Sequence, residues 1–159
     1  MPNDLISTDP LIAQNFFLEI DGEVITMLAG VSGLDVEVEV ASTTQVGKDG
    51  KQQMVKTLAG RVKAGDLSLT RMAPPDATAD AMWKWFNDVR GTGLKATDRA
   101  GMRKNGSIVL YDSAKTEVAR FNFFSAWPSR IATDGLSVDS SEVVKESITL
   151  QCERLERVK

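Results

Sequence analysis

The sequence predicts a mainly β protein, an antiparallel β-sandwich or barrel of about seven strands with one flanking α-helix. Three observations support this fold class. Short runs rich in β-branched and aromatic residues recur along the chain, separated by turn-forming residues. These runs follow one another as hairpins, without the helical crossovers that parallel strands require. Only residues 76–91 have the period of an amphipathic helix.

Composition sets limits on the function. The 159 residues suit a single domain, 1–159, with its own hydrophobic core. One cysteine and no histidine exclude an internal disulfide and argue against zinc sites and Ser-His-Asp catalysis. The net charge of -3 argues against a protein whose main task is to hold nucleic acid. The N-terminus does not resemble a signal peptide and no run approaches the ~20 apolar residues of a membrane span, so we expect cytoplasmic synthesis and no stable membrane insertion by the subunit alone.

The N-terminal third predicts an N-terminal arm followed by a hairpin. Residues 1–15 contain two prolines and scattered polar groups, and we expect an arm that is ordered only when something binds it. The runs Phe16–Ile20 and Val24–Leu28 flank Asp21-Gly22, a dipeptide that suits the positive φ angles of a tight hairpin turn.

The next segments predict a half-buried strand, a long loop and a second strand. Residues 34–40 alternate strictly, with Val36, Val38 and Val40 on one face and Asp35, Glu37 and Glu39 on the other. Residues 41–60 have no sustained period, and we interpret them as a long contact loop or a poorly anchored hairpin. Residues 61–72 return to strand-like composition, with a bulge or bend expected at Gly65-Asp66.

Residues 76–91 predict the helix. Asp76 or Thr78 is expected to cap its N-terminus, and Gly91 offers a C-terminal stop. The apolar residues recur at one face of the helix and are expected to cover the sheet: Met82, Trp85, Phe86 and Val89. We therefore assign these four side chains to the core.

Residues 105–128 give the clearest hairpin signal. Two runs, 107–111 and 117–124, flank a short polar segment, and Phe121 and Phe123 are expected to face the core. Arg120 and Asn122 fall on the opposite face. Regular pairing is expected to stop at Trp127-Pro128, because proline lacks a backbone donor.

The C-terminal part predicts a connecting loop over 129–141 and a last strand over 142–155. Val144, Ile148, Leu150 and Cys152 share one face of that strand. Glu146 interrupts the apolar series, so that end is expected to lie at a sheet edge.

Three carboxylates give the one pattern with catalytic interest. Asp35, Glu37 and Glu39 would be spaced about 6.6 to 7 Å apart along one strand face. That spacing suits carboxylate catalysis or a cation, but a solvated strand face is the better interpretation because no further ligands lie nearby in sequence. No phosphate-binding loop or nucleophile elbow is present, so we expect no catalytic residues, no cofactor and no metal.

The remaining polar and aromatic candidates also have structural interpretations. Arg99, Arg103 and Lys104 form a basic run without interleaved aromatics, which is typical of a solvated loop or a partner surface. Cys152 is expected to be a small core residue rather than a reactive thiol. Trp83 lies outside the helix stripe and is either an exposed partner anchor or the flank of a wide core.

Several segments occur in a characteristic order and spacing: FFLEIDG with VSGLDVEVE, GRVKAGDLSLTR followed by MWKWFNDV, and GSIVLYD with EVARFNFFSAWPSR and SSEVVKESITLQCERLERV. In this order and spacing the chain resembles the inner tube protein of contractile phage tails and extracellular contractile injection systems, the T4-like tail tube family. Together the segments span roughly residues 16–158. None of them is a catalytic signature.

The resemblance implies a structural subunit that forms hexameric rings, which stack into a tube inside a contractile sheath. Implied partners are further copies of the chain, the sheath protein, baseplate or spike and terminator proteins, and cargo or DNA in the lumen. It also implies roles for groups of residues. The lumen would be lined by Asp35, Glu37 and Glu39, and contacts between subunits or rings would involve Gln45, Lys48, Lys51, Gln53, Arg120, Asn122 and Trp127.

Two other functions compete with the tube subunit. The first is a monomeric β-barrel that binds a small molecule in its interior. The second is a carboxylate-based hydrolase, which depends only on the acidic strand. Ring formation would distinguish the tube subunit from both of them.

Overall fold

A computed structural model gives the structure of the chain and describes residues 15–91, 101–139 and 141–159. The described part contains ten β-strands and one α-helix. The strands are β1 (Asn15–Ile20), β2 (Glu23–Leu28), β3 (Gly30–Ser32), β4 (Val36–Val46), β5 (Gln52–Ala64), β6 (Leu67–Met72), β7 (Lys104–Tyr111), β8 (Glu117–Thr133), β9 (Lys145–Gln151) and β10 (Arg154–Arg157). Helix α1 (Ala81–Gly91) lies between β6 and β7. Of the expected N-terminal arm, residues 1–14 lie outside the described ranges, and Asn15 begins β1.

Eight of the strands form one antiparallel sheet in the order β2-β1-β7-β8-β9-β6-β3, with β10 paired to β8. The first and last strands of this path, β2 and β3, are separated in sequence by Ala29 alone. The Ala29 N–H donates to the carbonyl of Thr70 in β6 at 2.7 Å, so the two ends of the path meet. The predicted antiparallel β fold with one helix is therefore confirmed, and the sheet curls into a barrel.

Two hairpins form as predicted. Between β1 and β2, Asp21 has φ 52° and Gly22 has φ 84°, the positive values that a two-residue turn needs to match the twist of its strands. Between β7 and β8, Asp112 accepts a hydrogen bond from the N–H of Lys115 at 3.1 Å and closes the turn. Local turn chemistry therefore determines both connections.

Strand β8 is longer than predicted. Pairing does not stop at Trp127-Pro128, because Trp127 pairs with Gln151 and Pro128 with Leu150. The strand changes partners along its length, from β7 and β10 in its first half to β9 in its second half. The missing proline donor is accommodated by an irregularity in register between Pro128 and Arg130.

The last strand is divided and central. Residues predicted as one strand form β9 and β10, which both run along β8 on either side of Cys152 and Glu153. The loop expected over 129–141 is shorter, because β8 continues to Thr133. The edge predicted at Glu146 is also wrong, since β9 lies between β8 and β6.

Helix α1 begins later than predicted, at Ala81. Its cap is Asp80, whose Oδ2 accepts a hydrogen bond from the Trp83 N–H at 3.0 Å. Asp76 instead accepts from the N–H of Thr78 at 2.9 Å in a turn that precedes the helix. A polar residue capable of capping occurs at each of these positions, so sequence alone did not select the right one.

The core fills the barrel and the gap between the barrel and α1. The buried apolar residues are Leu18, Ile20, Leu28, Leu67, Leu69, Met82, Trp85, Ile108, Phe123, Ala126, Ile148, Leu150 and Leu155. Phe121 and Val89 are partly buried and pack against this cluster, and Phe86 is half-buried at the flank of the helix. Burying one such large side chain contributes roughly 1.5 to 3 kcal/mol before its conformational entropy is subtracted.

Residues 41–60 form most of a hairpin rather than a loop. Strands β4 and β5 pair along their length as a separate two-stranded sheet, which we call the arm, residues 36–64. Its turn is closed by the Gly47 N–H, which donates to the carbonyl of Lys51 at 2.9 Å. Because β5 ends at Ala64, the bend predicted at Gly65-Asp66 is a break between β5 and β6. The hairpin interpretation was the right one of the two.

Candidate interaction surfaces

The arm has one apolar and one polar face. Residues that pair directly across two antiparallel strands share a face, and alternate residues of each strand do so as well. Val40 pairs with Leu58, and Thr44 with Met54. The more apolar face of the arm therefore carries Val36, Val38, Val40, Val46, Met54 and Leu58, with Ser42, Thr44, Gln52 and Lys56 interspersed on its outer half.

This apolar face is uncovered in the single chain. Val36, Val38 and Val40 are 55%, 44% and 56% exposed, so the strand predicted to be half-buried is open on both faces. Farther out, Met54 and Leu58 are 67% and 73% exposed. A two-stranded hairpin alone is at best marginally stable in water, and contiguous exposed apolar surface marks an interaction site. The arm is therefore a candidate interaction surface.

The polar face of the arm carries the predicted carboxylates. Asp35 lies just before β4, while Glu37 and Glu39 lie on the strand. Glu37 is opposite Lys63 in the register, and Oε1 of Glu39 lies 3.8 Å from Nζ of Lys63. Within the described ranges, no group of three or more His, Cys, Asp or Glu side chains is placed to hold a metal ion. Asp35 and Glu37 are exposed and Glu39 is half-buried, and their place on the wall of a lumen stays a prediction.

The tip of the arm carries the predicted contact residues. Gln45 pairs with Gln53, and both are exposed. Lys48 lies in the turn, and the Lys51 N–H donates to Asp49 Oδ1 at 3.2 Å. All four predicted contact side chains of this segment point into solvent at the end of a projecting hairpin. Their contacts with another subunit stay a prediction.

The other three predicted contact residues, Arg120, Asn122 and Trp127, interact with side chains of their own chain. Arg120 donates to Glu117 at 2.6 Å and to Glu19 at 2.8 Å, and these hydrogen bonds raise the pKa of its guanidinium. Asn122 accepts from the hydroxyl of Ser107 at 2.7 Å. These bonds fix β1, β7 and β8 to one another, so any contact of Arg120 or Asn122 with a second subunit would add to an existing network.

Trp127 is half-buried, and one face of its ring is covered. The guanidinium carbon of Arg103 lies 4.8 Å from the ring centroid, and Arg103 also pairs with Glu153. Nζ of Lys104 lies 5.6 Å from the ring of Trp85. Two members of the basic run are therefore engaged with aromatic side chains of their own chain, while Arg99 lies outside the described residues.

A second apolar surface lies on the outside of the barrel around β2. Phe17 and Tyr111 meet edge to face with ring centroids 5.3 Å apart. Beside them, Val24 is 55% and Met27 62% exposed, and together these residues line an open groove of about 380 Å³. Beyond Met27 a second groove of about 280 Å³ reaches Met72, which is 63% exposed. We call Phe17, Val24, Met27, Met72 and Tyr111 the β2 patch.

Between α1 and the barrel lies a buried ionic cluster that was not predicted from sequence. Arg71 is 2% exposed and Glu146 is 5% exposed, and the two residues are directly paired across β6 and β9. Nε and Nη2 of Arg71 donate to Oε2 of Glu146 at 3.2 and 3.1 Å. Nη1 and Nη2 donate to the two carboxylate oxygens of Asp80 at 2.9 and 2.7 Å. One guanidinium thus joins two strands to the start of the helix.

Trp83 completes this cluster. Its indole N–H donates to Oε1 of Glu146 at 3.1 Å, and its backbone N–H donates to Asp80. Burial alone would raise the pKa of Asp80, but the hydrogen bonds from Arg71 and Trp83 and the charge of Arg71 outweigh it and lower that pKa. The cluster fixes the orientation of α1 on the barrel. In the sequence, the indication of this cluster was the opposite charges of Arg71 and Glu146 at inward-facing positions of two strands.

Cys152 is half-buried and packs against the core. Burial raises the pKa of its thiol, and the charge of Asp66 raises it further. A thiol with a raised pKa stays protonated and is a weak nucleophile. This environment suits the small core residue that the sequence predicted.

The barrel interior is filled by its own side chains. Leu18, Leu69, Ile108 and Phe123 have no exposed surface. A ligand-binding barrel needs open space at its centre. The interior therefore disfavours the monomeric small-molecule-binding alternative.

Comparisons with known proteins agree with this architecture. The model of the family described as T4-like virus tail tube protein gp19 matches residues 13–156. None of the curated protein sequences gave a significant match. No helix within the described ranges is long and apolar enough to cross a membrane.

Solved structures share the fold at low sequence identity. A protein of the PVC sheath-tube complex of an extracellular contractile injection system, in its extended state, is 18% identical with a TM-score of 0.70, over 99% of this chain and 97% of that chain. A protein of the PVC sheath/tube terminator is 18% identical with a TM-score of 0.72, over 96% and 99%. Hcp1 from Flavobacterium johnsoniae is 12% identical with a TM-score of 0.55, over 91% and 95%.

Proposed function

The chain belongs to the family of T4-like virus tail tube proteins, and on this premise we propose that it is a structural subunit of the inner tube of a contractile tail or injection system. Copies of the chain assemble as hexameric rings, and the rings stack into the tube. Contraction of the surrounding sheath drives the tube through a target envelope. The subunit acts by its shape and its contacts, without an enzymatic reaction.

One observation carries the proposal: the arm exposes six large apolar side chains on one face although the barrel itself is filled and closed. Six apolar side chains of the arm are between 44% and 73% exposed. Such a surface has no use in a monomer and is a liability for aggregation. A closed ring removes the liability, because each arm is covered by the next copy.

The polar features fit the same assembly. We place Asp35, Glu37 and Glu39 on the wall of the lumen, where many copies would give a negative surface that repels acidic cargo such as DNA. We place the side of the barrel that carries α1 toward the sheath. Similar solved structures include proteins of a sheath-tube complex, of a sheath/tube terminator and of the anti-feeding prophage baseplate, which supports sheath, terminator and baseplate proteins as partners.

Electron microscopy tests the proposal directly. Purified protein, alone or with sheath and baseplate components, is expected to give rings or tubes in negative stain. Persistent monomers under all of these conditions would contradict it. A variant with Glu37→Gln and Glu39→Gln should assemble like the natural chain, because these residues are placed on the lumen wall and not at a contact.

A further inference from the structure

We propose that Asn105 is a site of spontaneous deamidation that the folded barrel protects, and that isoaspartate formed there prevents an opened chain from returning to its native fold. The inference concerns the subunit itself and does not depend on the tube function. Three features support it: the chemistry of the Asn105-Gly106 dipeptide, the contacts that fix both residues, and their place in strand β7.

Asn105-Gly106 is the one Asn-Gly dipeptide in the sequence. In deamidation, the backbone nitrogen of Gly106 attacks Cγ of Asn105, a bond forms between these two atoms, and the Cγ–Nδ2 bond breaks. Ammonia leaves with the proton of the Gly106 N–H, and a cyclic imide remains. Water then opens the imide at either carbonyl and gives aspartate or isoaspartate. Glycine favours the reaction because it has no Cβ to hinder the attack.

The packing of the barrel uses both residues of this dipeptide. Oδ1 of Asn105 accepts a hydrogen bond from the Ser125 N–H at 2.9 Å, at a point where the pairing of β7 with β8 is irregular and Ser125 has a φ of 52°. A Cβ added to Gly106 would overlap the carbonyl oxygen of Glu19 and lie 2.6 Å from Cζ of Phe123. The chemically labile pair therefore has a structural role at both positions.

The folded barrel keeps the reacting atoms apart. Asn105 is exposed, so water reaches its side-chain amide, but Gly106 is paired with Ile20 of β1 and Phe123 of β8. In an extended strand the nitrogen of the following residue is turned away from the side-chain carbon, and the hydrogen bond from Ser125 holds the amide oxygen toward β8. Attack on Cγ requires a rotation about the Cα–C bond of Asn105 that breaks the pairing of β7. Deamidation therefore requires local or global opening of this strand.

The two products have different effects on the sheet. Aspartate at position 105 keeps an oxygen that accepts from the Ser125 N–H, so a chain that carries it is able to fold. Isoaspartate routes the main chain through the former side chain, which lengthens the backbone of β7 by a methylene group and displaces the register of the residues that follow. Among these residues is Ile108, which is fully buried in the core. A chain that stays open long enough to form isoaspartate therefore loses its route back to the native fold.

Peptide mapping by mass spectrometry of the natural chain tests the site. Samples are incubated at mildly alkaline pH in a series of guanidinium chloride concentrations, and circular dichroism gives the unfolded fraction of each sample. The rate of deamidation at Asn105 is expected to rise in proportion to the unfolded fraction, and to be at least about tenfold higher in fully unfolded protein than in native protein.

Two results of this experiment would overturn the proposal. Equal rates in native and unfolded protein would show that the fold gives Asn105 no protection. Faster deamidation at Asn87 than at Asn105 in unfolded protein would show that the Asn-Gly dipeptide is not the labile site of this chain.

Refolding after the same incubation tests the consequence of the modification. Natural chains that fail to refold when the denaturant is diluted are expected to contain isoaspartate at position 105, detected by enzymatic methylation. Asn105→Gln requires a larger ring for the same attack and is the matched control, which should refold as well after incubation as before it. Asn105→Asp places the charge on a normal main chain and is expected to fold. Isoaspartate in chains that regain the native circular dichroism spectrum, or an Asn105→Asp chain that does not fold, would overturn the assignment of the damage to the altered backbone.

Discussion

The barrel and the arm consist of the same kinds of residue but use them in opposite ways. In β6 and β9 alternate positions face inward, and Leu69, Ile148 and Leu150 have no exposed surface. In the first part of β4 the valines alternate in the same way, yet Val40 and its partner Leu58 in β5 are 56% and 73% exposed. An alternating pattern predicts that one face of a strand is buried. It does not predict whether the surface that buries it belongs to the same chain or to another copy.

This difference assigns separate tasks to the two regions. The barrel supplies most of the free energy of folding of the subunit, because its sheet closes on itself and its core is buried. The arm exposes apolar surface, which under the proposed function is covered by another copy. Substitutions in the two regions should therefore separate the stability of the subunit from its assembly, and the following four predictions test that separation.

Arg71→Met should have the largest effect on the barrel. The change leaves Glu146 and part of Asp80 buried without their cation, and breaking a buried ion pair costs about 3 to 5 kcal/mol. Urea denaturation at neutral pH measures the loss. The paired variant Arg71→Met with Glu146→Leu should recover a large part of it, because it removes the uncompensated charge. A single variant as stable as the natural chain would show that the cluster does not hold the helix.

Leu69→Ala should cost slightly less, about 2 to 5 kcal/mol, because it removes a fully buried side chain and leaves a cavity. Thermal and urea unfolding of the monomeric subunit measure the change. When samples with the same fraction of folded protein are compared, assembly should be unaltered, because Leu69 is fully buried and lies on no surface that could contact another copy. A loss of assembly in fully folded Leu69→Ala protein would break the separation of tasks.

Asp80→Asn should cost about 1.5 kcal/mol at pH 7, because it removes the charge from hydrogen bonds with Arg71 and the start of the helix. The folded-state pKa of Asp80 lies below its usual value, so its charge stabilises the fold above the unfolded pKa of about 3.9. That stabilisation is lost as the pH falls through the folded pKa. The difference in the free energy of unfolding between the variant and the natural chain should therefore shrink below about pH 4. A difference that stays constant with pH would show that the substitution acts through packing instead of charge.

Leu58→Ala is the matched change in the arm and should have the smallest effect on unfolding, within about 0.5 kcal/mol. The leucine is 73% exposed, so little buried area is lost in the single chain. Assembly, measured by sedimentation and microscopy, should fall strongly. If Leu58→Ala destabilised the monomer as much as Leu69→Ala, the arm would belong to the folding unit and the comparison of the two regions would fail.

Features set by local chemistry were predictable from the sequence. The turn at Asp21-Gly22 needs only residues that accept positive φ, and the helix stripe at Met82 and Trp85 needs only its own period. The hairpin of β7 and β8 was equally clear, because both strands and their turn lie within one short segment. For such elements the partner is a neighbour in sequence.

Features that depend on distant partners were not predictable. Glu146 was interpreted as a sheet edge because its partner, Arg71, lies 75 residues away in sequence. Pairing past Pro128 was missed because β8 exchanges one neighbour for another at that point. Residues 41–60 of the arm were interpreted as a long contact loop or a poorly anchored hairpin, because their apolar side chains have no partner in the chain and Thr, Gln and Lys residues interrupt the pattern. Each error arose where the deciding contact lies far along the chain or outside it.

The meeting of the two sheet ends at Ala29 also orders the events of folding. The hairpins β1–β2, β4–β5 and β7–β8 pair neighbours in sequence and can form in about 1 to 10 μs. Closure must wait for β1 to find β7, roughly 90 residues farther along, and such non-local pairing takes milliseconds to seconds. During that interval a newly made chain exposes the apolar side chains of the arm before it has a finished barrel. Subunits at low concentration should therefore mature before they meet, and overproduction should favour tangled aggregates over tubes.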